Sequence, residues 1–390
     1  MRPIYKYLII FLILGTIAWI IYFVVSKTTP TEEQGNTTIS TSTTNTLIEE
    51  LDNNEQTPTD VVEIENNETG DGGNYSESAV IKTSFTELQK VSDVPAQSYW
   101  YYEENNRIFY ITENGEIKKV IDGKSEKIAL NPLNNVSMIK PNRGGSSVLI
   151  KFATNSGTIW GIFSSMDEKI TPLNSSITDA VWDFNNQDIV ALWDQGGTTS
   201  VVSLSSLKSY SDKTVIIPKL KLFDVDIFKK SRDELLFVEK FGNEYATSIW
   251  QYNLKTKLFS TIRSGLLDFS LNPELSVYFF YSKNDGFVIG NNSFENIVPT
   301  TKKTLPEKCS SLVTTAFCFV PKTDISLFNW ITNLSFTDDL LYVYDTYSQT
   351  EDQVQISDIK NIPIDAKNII VTQPSLYFIN KYDNFIYALK

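Results

Sequence analysis

Histidine is absent from all 390 residues. Its absence excludes a Ser-His-Asp or Cys-His arrangement, a His-ligated metal and an imidazole proton shuttle. Acid–base work, if there is any, falls to carboxylates, Lys, Tyr or the main chain. Cysteine is nearly absent as well: Cys309 and Cys318 are the only two. Two cysteines alone cannot complete a structural zinc site, and their spacing is not that of a Cys-x-x-Cys redox pair. Positive charge is in short supply, with 34 Lys and Arg against 47 Asp and Glu and a formal net charge of −13. No basic stripe interrupts that balance, so steering toward nucleic-acid phosphates is disfavoured and nucleic acid is not an expected partner. What the sequence has in quantity is aromatic: 23 Phe, 19 Tyr and 7 Trp, many of them in short β-branched runs of the kind that build sheets.

The chain opens MRPIYKYLIIFLILGTIAWIIYFVVSKTTP. From Tyr7 to Val25 no side chain is charged, and such a segment as a helix rises about 28 Å, close to the roughly 30 Å of a bilayer core. Tyr7, Trp19 and Tyr22 lie toward its ends, where amphipathic rings sit at the lipid–water boundary. A cleavable signal peptide is the alternative, but its apolar stretch is shorter and ends at a small-x-small site that YFVVSKTTP does not offer. Arg2 and Lys6 precede the span, whereas Lys27 after it is met by Glu32 and Glu33. Basic residues stay on the cytoplasmic side. The expectation is a single-pass anchor in the lipid bilayer over 7–25, with residues 1–6 cytoplasmic and everything after Lys27 extracytoplasmic.

Residues 26–83 are dense in Thr, Asn, Glu and Gly and poor in aromatics. Such a segment buries too little apolar area to offset the entropy of ordering, and its acidic residues repel one another, so the sequence predicts a disordered, extended acidic linker.

From residue 84 the pattern becomes short β-rich runs between polar turns. NRIFYITENGEIKKVIDGKSEKIAL reads as a meander: strands at Ile108–Ile111, Ile117–Ile121 and Lys127–Leu130, with turns at Glu113-Asn114-Gly115 and Asp122-Gly123. Strand-like openings recur near Trp100, Val136, Asp179, Phe223, Leu266, Cys309 and Asn368, most of them about 36 to 45 residues apart and wider after Cys309. A period of about 40 to 45 residues holding four strands is one propeller blade. Seven openings predict an all-β, seven-bladed β-propeller over 84–390. The last unit has only three strands, so SFTELQKVS, residues 84–92, is expected to supply its outer strand and close the ring. Stacked β-sandwiches would need a linker that is not seen after residue 92. FVPKTDISLFNWITNLSFTDDL is the least regular stretch and reads as a short helix or an insert between strands.

Residues 84–390 resemble the TolB-like and WD40-like propellers, and more closely the membrane-anchored propeller proteins of candidate-phylum bacteria. LQKVSDVP (88–95), NGEIKKV (114–120), LPEKCSSLVTTAFCFVP (305–321) and WITNLSFTDDLLYVYD (330–345) carry the likeness. It implies a Cys pair bridging a hairpin in a late blade, and it transfers no catalytic residue. The Gly-His and Trp-Asp dipeptides of true WD repeats are lacking at the blade positions.

Three fates remain open for Cys309 and Cys318: a disulfide, two separate buried thiols, or a reactive or ligating pair. With Val313-Thr314 as a hairpin turn the two would face one another, and an oxidising compartment favours joining them. Asp224 and Asp226 alternate along FDVDIF and read as structural before ion-binding or catalytic, and Asp338-Asp339 reads as a turn. Trp100, Tyr101, Tyr102, Trp160, Trp182, Trp193, Trp250, Tyr252, Phe279, Phe280, Tyr281, Phe328 and Trp330 read first as inter-blade packing. No catalytic, cofactor-binding or metal-binding residue is assigned and no cofactor is expected. The expected function is a non-enzymatic, membrane-tethered binding or scaffolding module for an envelope protein, peptide or cell-surface glycan. The alternative is a carboxylate- or calcium-dependent enzyme acting on an extracellular glycan or peptide in the propeller funnel.

Overall fold

Hairpins are fixed where the turn chemistry is strongest. Asp122 and Gly123 both take positive φ, 49° and 74°, the requirement of a two-residue hairpin turn. They join Ile117–Ile121 directly to Lys124–Lys127. The outer strand therefore begins three residues earlier than the expected Lys127–Leu130, because the turn uses no further loop. Gly115 sits at φ 77° with the backbone of Leu133 against it, and a Cβ there would lie 1.8 Å from the Leu133 carbonyl oxygen.

The computed structural model describes Phe85 and residues 87–222, 224–239, 247–272, 277–282, 286–291, 293–298, 300–323, 335–356 and 362–390. All belong to the unit Ser76–Lys390. The expected cytoplasmic stub at 1–6, anchor at 7–25 and linker at 26–83 lie outside the described residues, as do Phe328, Trp330 and half of the irregular stretch FVPKTDISLFNWITNLSFTDDL. No helix among the described residues is long and apolar enough to cross a membrane.

The described chain is all-β and antiparallel, with five four-stranded sheets and one of seven strands. In chain order the sheets span residues 96–127, 134–172, 177–217, 225–298 (the long sheet), 309–353 (the disulfide sheet) and 366–389. The long sheet is two units fused through one strand, Phe259–Asn272. Its first part pairs with Thr247–Asn253 and its second, from Leu266, with Val277–Ser282. Gly265, at φ 83°, sits at the change of partner, a conformation glycine adopts without steric cost. Leu266 thus opens a unit as expected, but without a loop before it.

The first strands of these units lie side by side. Gln97 donates to the Val136 carbonyl, Lys140 pairs with Asp179 at 2.8 Å, and the Ile227 N–H donates to Asp179 Oδ2 at 2.8 Å. Phe228 meets Phe269 edge-on at 5.5 Å between ring centroids, and the first strands of the disulfide sheet and the last sheet touch. Tyr99 OH then donates to the Asn368 carbonyl at 2.6 Å, returning the series to the first sheet. Seven apolar clusters fill the spaces between successive units. One of them packs Tyr99 and Tyr110 of the first sheet against Ile379 and Ile386 of the last. The architecture is propeller-like.

Leu88–Lys90 is the fourth strand of the last sheet, with Leu88 opposite Leu389 and Lys90 opposite Tyr387. The expected outer strand from SFTELQKVS is therefore present in the expected sheet. Cys309 faces Cys318 in the register expected around Val313-Thr314, and the two form a disulfide with Cα atoms 4.2 Å apart. Val313 accommodates the poor turn dipeptide by taking φ 53°. Replacing both cysteines by serine is expected to lower stability by about 2 to 3 kcal/mol, the loop-closure value for so short a loop. Urea unfolding of the double variant beside the oxidised wild type measures it, and equal midpoints would show that the hairpin needs no covalent tie.

Candidate functional site

Near their starts, several first strands carry a β-bulge. Register shifts fall between Ala96 and Ser98, between Asn134 and Met138, between Ile177 and Asp179, and between Lys367 and Ile370. Asn135 and Asn368 hold positive φ there, 46° and 53°, which asparagine tolerates better than β-branched neighbours do. A bulge re-aims the side chains next to it. In the first, second and last sheets it lies beside a cavity of about 330 Å³ lined by Ala96, Gln97, Glu113, Leu133, Asn135, Lys367 and Asn384. The lining comes from the first, second and last sheets and from the turns beside them.

Polar groups dominate this cavity, and several are already linked. Lys367 Nζ donates to Asn384 Oδ1 at 3.4 Å, and Asn384 Nδ2 donates to Glu113 Oε1 at 3.2 Å. The Asn384 carbonyl also accepts the Ala96 N–H at 2.7 Å. One residue, through its side-chain amide and its main-chain carbonyl, therefore bridges the last sheet to the first twice. Burial pulls the Lys367 ammonium below its ordinary value, while the Glu307 carboxylate pushes the other way. The rim offers donors and acceptors of both charges. Among the described residues, no group of three or more Cys, Asp or Glu side chains is placed to hold a metal ion.

Deeper along the first strands the polar groups pair with each other. Asp179 is buried and held by Lys140 and the Ile227 N–H, the Trp182 indole N–H donates to the Lys140 carbonyl at 2.7 Å, and Lys229 pairs with Asp183 at 2.9 Å. These contacts tie neighbouring first strands together.

A second polar centre lies where the disulfide sheet meets the last sheet. Lys308, fully buried, ends a single 3₁₀ turn, Pro306–Lys308, immediately before the first strand. Its Nζ donates to Asp339 Oδ2 at 2.6 Å, Asp365 Oδ1 at 2.5 Å and Thr337 Oγ1 at 2.7 Å. Asp365 Oδ2 accepts the Thr337 N–H at 3.0 Å and lies 3.7 Å from Lys381 Nζ. Asp339 Oδ2 also accepts the Ala366 N–H at 3.0 Å, while its Oδ1 is buried without a hydrogen-bond partner among the described residues. Burial pushes the Asp339 carboxyl above its ordinary value, and the Lys308 cation offsets this only in part.

The residues singled out in the sequence mostly lie elsewhere. Asp226 is in a strand, but Asp224 precedes that strand at φ 49°, so the regular alternation that paired them starts only at Val225. Asp338 is half-buried and pairs with Lys322 at 2.6 Å, whereas its neighbour Asp339 is buried. Trp100, Trp160, Phe279 and Phe280 are buried between sheets. The exposed aromatic pair is one the sequence did not suggest: Phe336, 60% exposed, stacks on Tyr382, 44% exposed, with centroids 5.1 Å apart. None of the cavity-lining side chains was singled out either. Asparagines inside strand-like runs, as in NNVSMIK and KNIIV, were the available signal.

The sequence matches no known family model and no curated protein. Among solved structures it is similar to an oligogalacturonate lyase in complex with manganese, at 9% identity over 78% of this chain and 93% of that one, with a TM-score of 0.52. An oligogalacturonate lyase from Vibrio parahaemolyticus gives 11% identity, the same two coverages and a TM-score of 0.52. Against the tricorn protease the values are 10% identity and a TM-score of 0.46 over 78% of this chain, which spans only 34% of that protein's length. At such identities the likeness to the lyases is one of fold, and it places this chain among all-β proteins of propeller-like architecture.

Proposed function

We propose that residues 84–390 form a closed seven-bladed propeller, anchored through residues 7–25 and held outside the cytoplasm by the acidic linker, whose cavity binds a polar segment of an envelope protein, peptide or glycan. The observation that carries the binding role is the chain Lys367–Asn384–Glu113 at the cavity wall. It presents a cation on a strand of the last sheet beside an amide and a carboxylate on turns of the last and first sheets, which suits recognition of a polar ligand more than attack on one. The disulfide fits an oxidising compartment, and a rigid ring on a flexible arm suits capture of a partner at the cell surface or in the periplasm.

Pull-down from solubilised membranes with the full chain tests this. The double variant Lys367→Met/Asn384→Ala is expected to retain its partner roughly tenfold less well, a loss of about 1.4 kcal/mol. Retention equal to wild type, with the fold intact by circular dichroism, would remove this cavity from the binding surface.

A further inference from the structure

We propose that Lys308 and Asp339 condense within the folded chain to an amide between Nζ and the Asp339 carboxyl carbon, with Asp365 acting as the proton carrier. The proposal is independent of the role of the cavity. It rests on what surrounds one buried amine.

Lys308 Nζ lies 2.6 Å from Asp339 Oδ2 and 2.5 Å from Asp365 Oδ1, and all three side chains are fully buried. An amine and a carboxyl held against each other in a fully buried site have the proximity that turns a bimolecular condensation into an intramolecular one. The two carboxyls are not equivalent. Asp365 accepts from Lys308 Nζ and the Thr337 N–H and lies 3.7 Å from Lys381 Nζ. Asp339 has one oxygen bonded and the other, Oδ1, buried with no hydrogen-bond partner among the described residues. Burial pushes its carboxyl above the ordinary value, easing the proton transfer from Lys308 that makes its carbon open to attack by the amine. The Ala366 N–H donates to Asp339 Oδ2 at 3.0 Å, where negative charge would develop when Nζ adds to the carbonyl carbon.

The step balances without any oxidant or co-reactant. The Lys308 ammonium first passes one proton to Asp339 Oδ1, turning the ion pair into an amine beside a carboxylic acid. Nζ then adds to the Asp339 carboxyl carbon, forming the N–C bond, as it gives a second proton to Asp365; the C–O bond to Oδ1 breaks, and the Oδ1 hydroxyl leaves as water with the proton returned by Asp365. Lysine ammonium and aspartate together become a neutral amide plus one water, and Asp365 ends as it began. The product replaces a buried ion pair, whose desolvation is costly, by a neutral group. It also joins the start of the first strand of the disulfide sheet to the third strand, across the insert between Pro321 and Asp339.

The test is intact-mass spectrometry of the full chain, denatured and reduced. The expected mass is that of the sequence less one water, and tryptic digestion should give one branched peptide linking the segment with Lys308 to the segment with Asp339. Asp365→Asn is expected to give the unlinked mass. Asp339→Asn should lose ammonia in place of water and reach the same final mass as the linked wild type, because the product is the same amide. A wild-type chain at its full mass, or a branched peptide joined at any other pair of residues, would overturn the proposal whatever the variants do.

Discussion

A chain beginning at residue 92 is expected to unfold at much lower urea than one beginning at residue 76, by about 3 to 5 kcal/mol. The segment removed is small, but what it covers is not. Leu88–Lys90 pairs with Ile386–Leu389, and Glu87 and Lys390 exchange two further backbone hydrogen bonds at 3.3 and 3.1 Å. Phe85 is 4% exposed in the cluster shared by the disulfide sheet and the last sheet, and its ring meets Phe317 edge-on at 6.5 Å. Without this strand the edge Ile386–Leu389, fully paired in the intact chain, is left as a row of unsatisfied amides and carbonyls beside uncovered apolar side chains. The longer chain differs only in keeping that cover. The point variant Phe85→Ala separates the two contributions, since it keeps the hydrogen bonds and loses the ring. A synthetic peptide of residues 84–92 added to the shorter chain should recover part of the loss. Superimposable urea curves for the two chains would mean that this strand does not hold the ends of the domain together.

How far the sequence could be read depended on whether an element's signal was local. Turn chemistry and period are local, so the unit openings and the hairpin that sets Cys309 opposite Cys318 were all legible. The outer strand of the first sheet was misplaced, because Asp122-Gly123 was read as a turn of unspecified length although two positive-φ residues make the tightest connection. The fusion of two units through Phe259–Asn272 was hidden for a different reason. Leu266 has the expected alternation on either side, and only the conformation of Gly265 reveals that one strand serves two sheets. The cavity was not legible at all. Gln97, Glu113, Lys367 and Asn384 come from opposite ends of the domain sequence and meet only because the last sheet packs on the first. No window of sequence contains that juxtaposition. Lys308 is inconspicuous in the sequence because a lysine in a polar run reads as exposed, and its burial depends on carboxylates 31 and 57 residues further on.

Trp100→Ala is expected to cost about 3 to 5 kcal/mol, whereas Tyr382→Ala should change stability by no more than about 0.5 kcal/mol. Both are aromatic residues at the junction of sheets, and sequence alone gives no reason to separate them. The difference is what each ring touches. Trp100 is fully buried, stacked on Phe109 at 5.5 Å and met edge-on by Phe163 at 5.4 Å, so one side chain joins the first and second sheets. Its indole N–H donates to Ser165 Oγ at 3.0 Å, and Ser165 in turn donates to the Gly145 carbonyl at 2.7 Å. Truncation to Ala therefore leaves a cavity and also removes the donor that faces the buried Ser165 hydroxyl. Trp100→Phe should fall between, because it keeps most of the ring area while losing the hydrogen bond. Tyr382 has one face on Phe336 and the other in water, so its loss uncovers little. Denaturant titration of the three variants measures the order. If Tyr382→Ala were as damaging as Trp100→Ala, the exposed ring pair would be a structural contact, and an aromatic surface available to a ligand would no longer follow from its exposure.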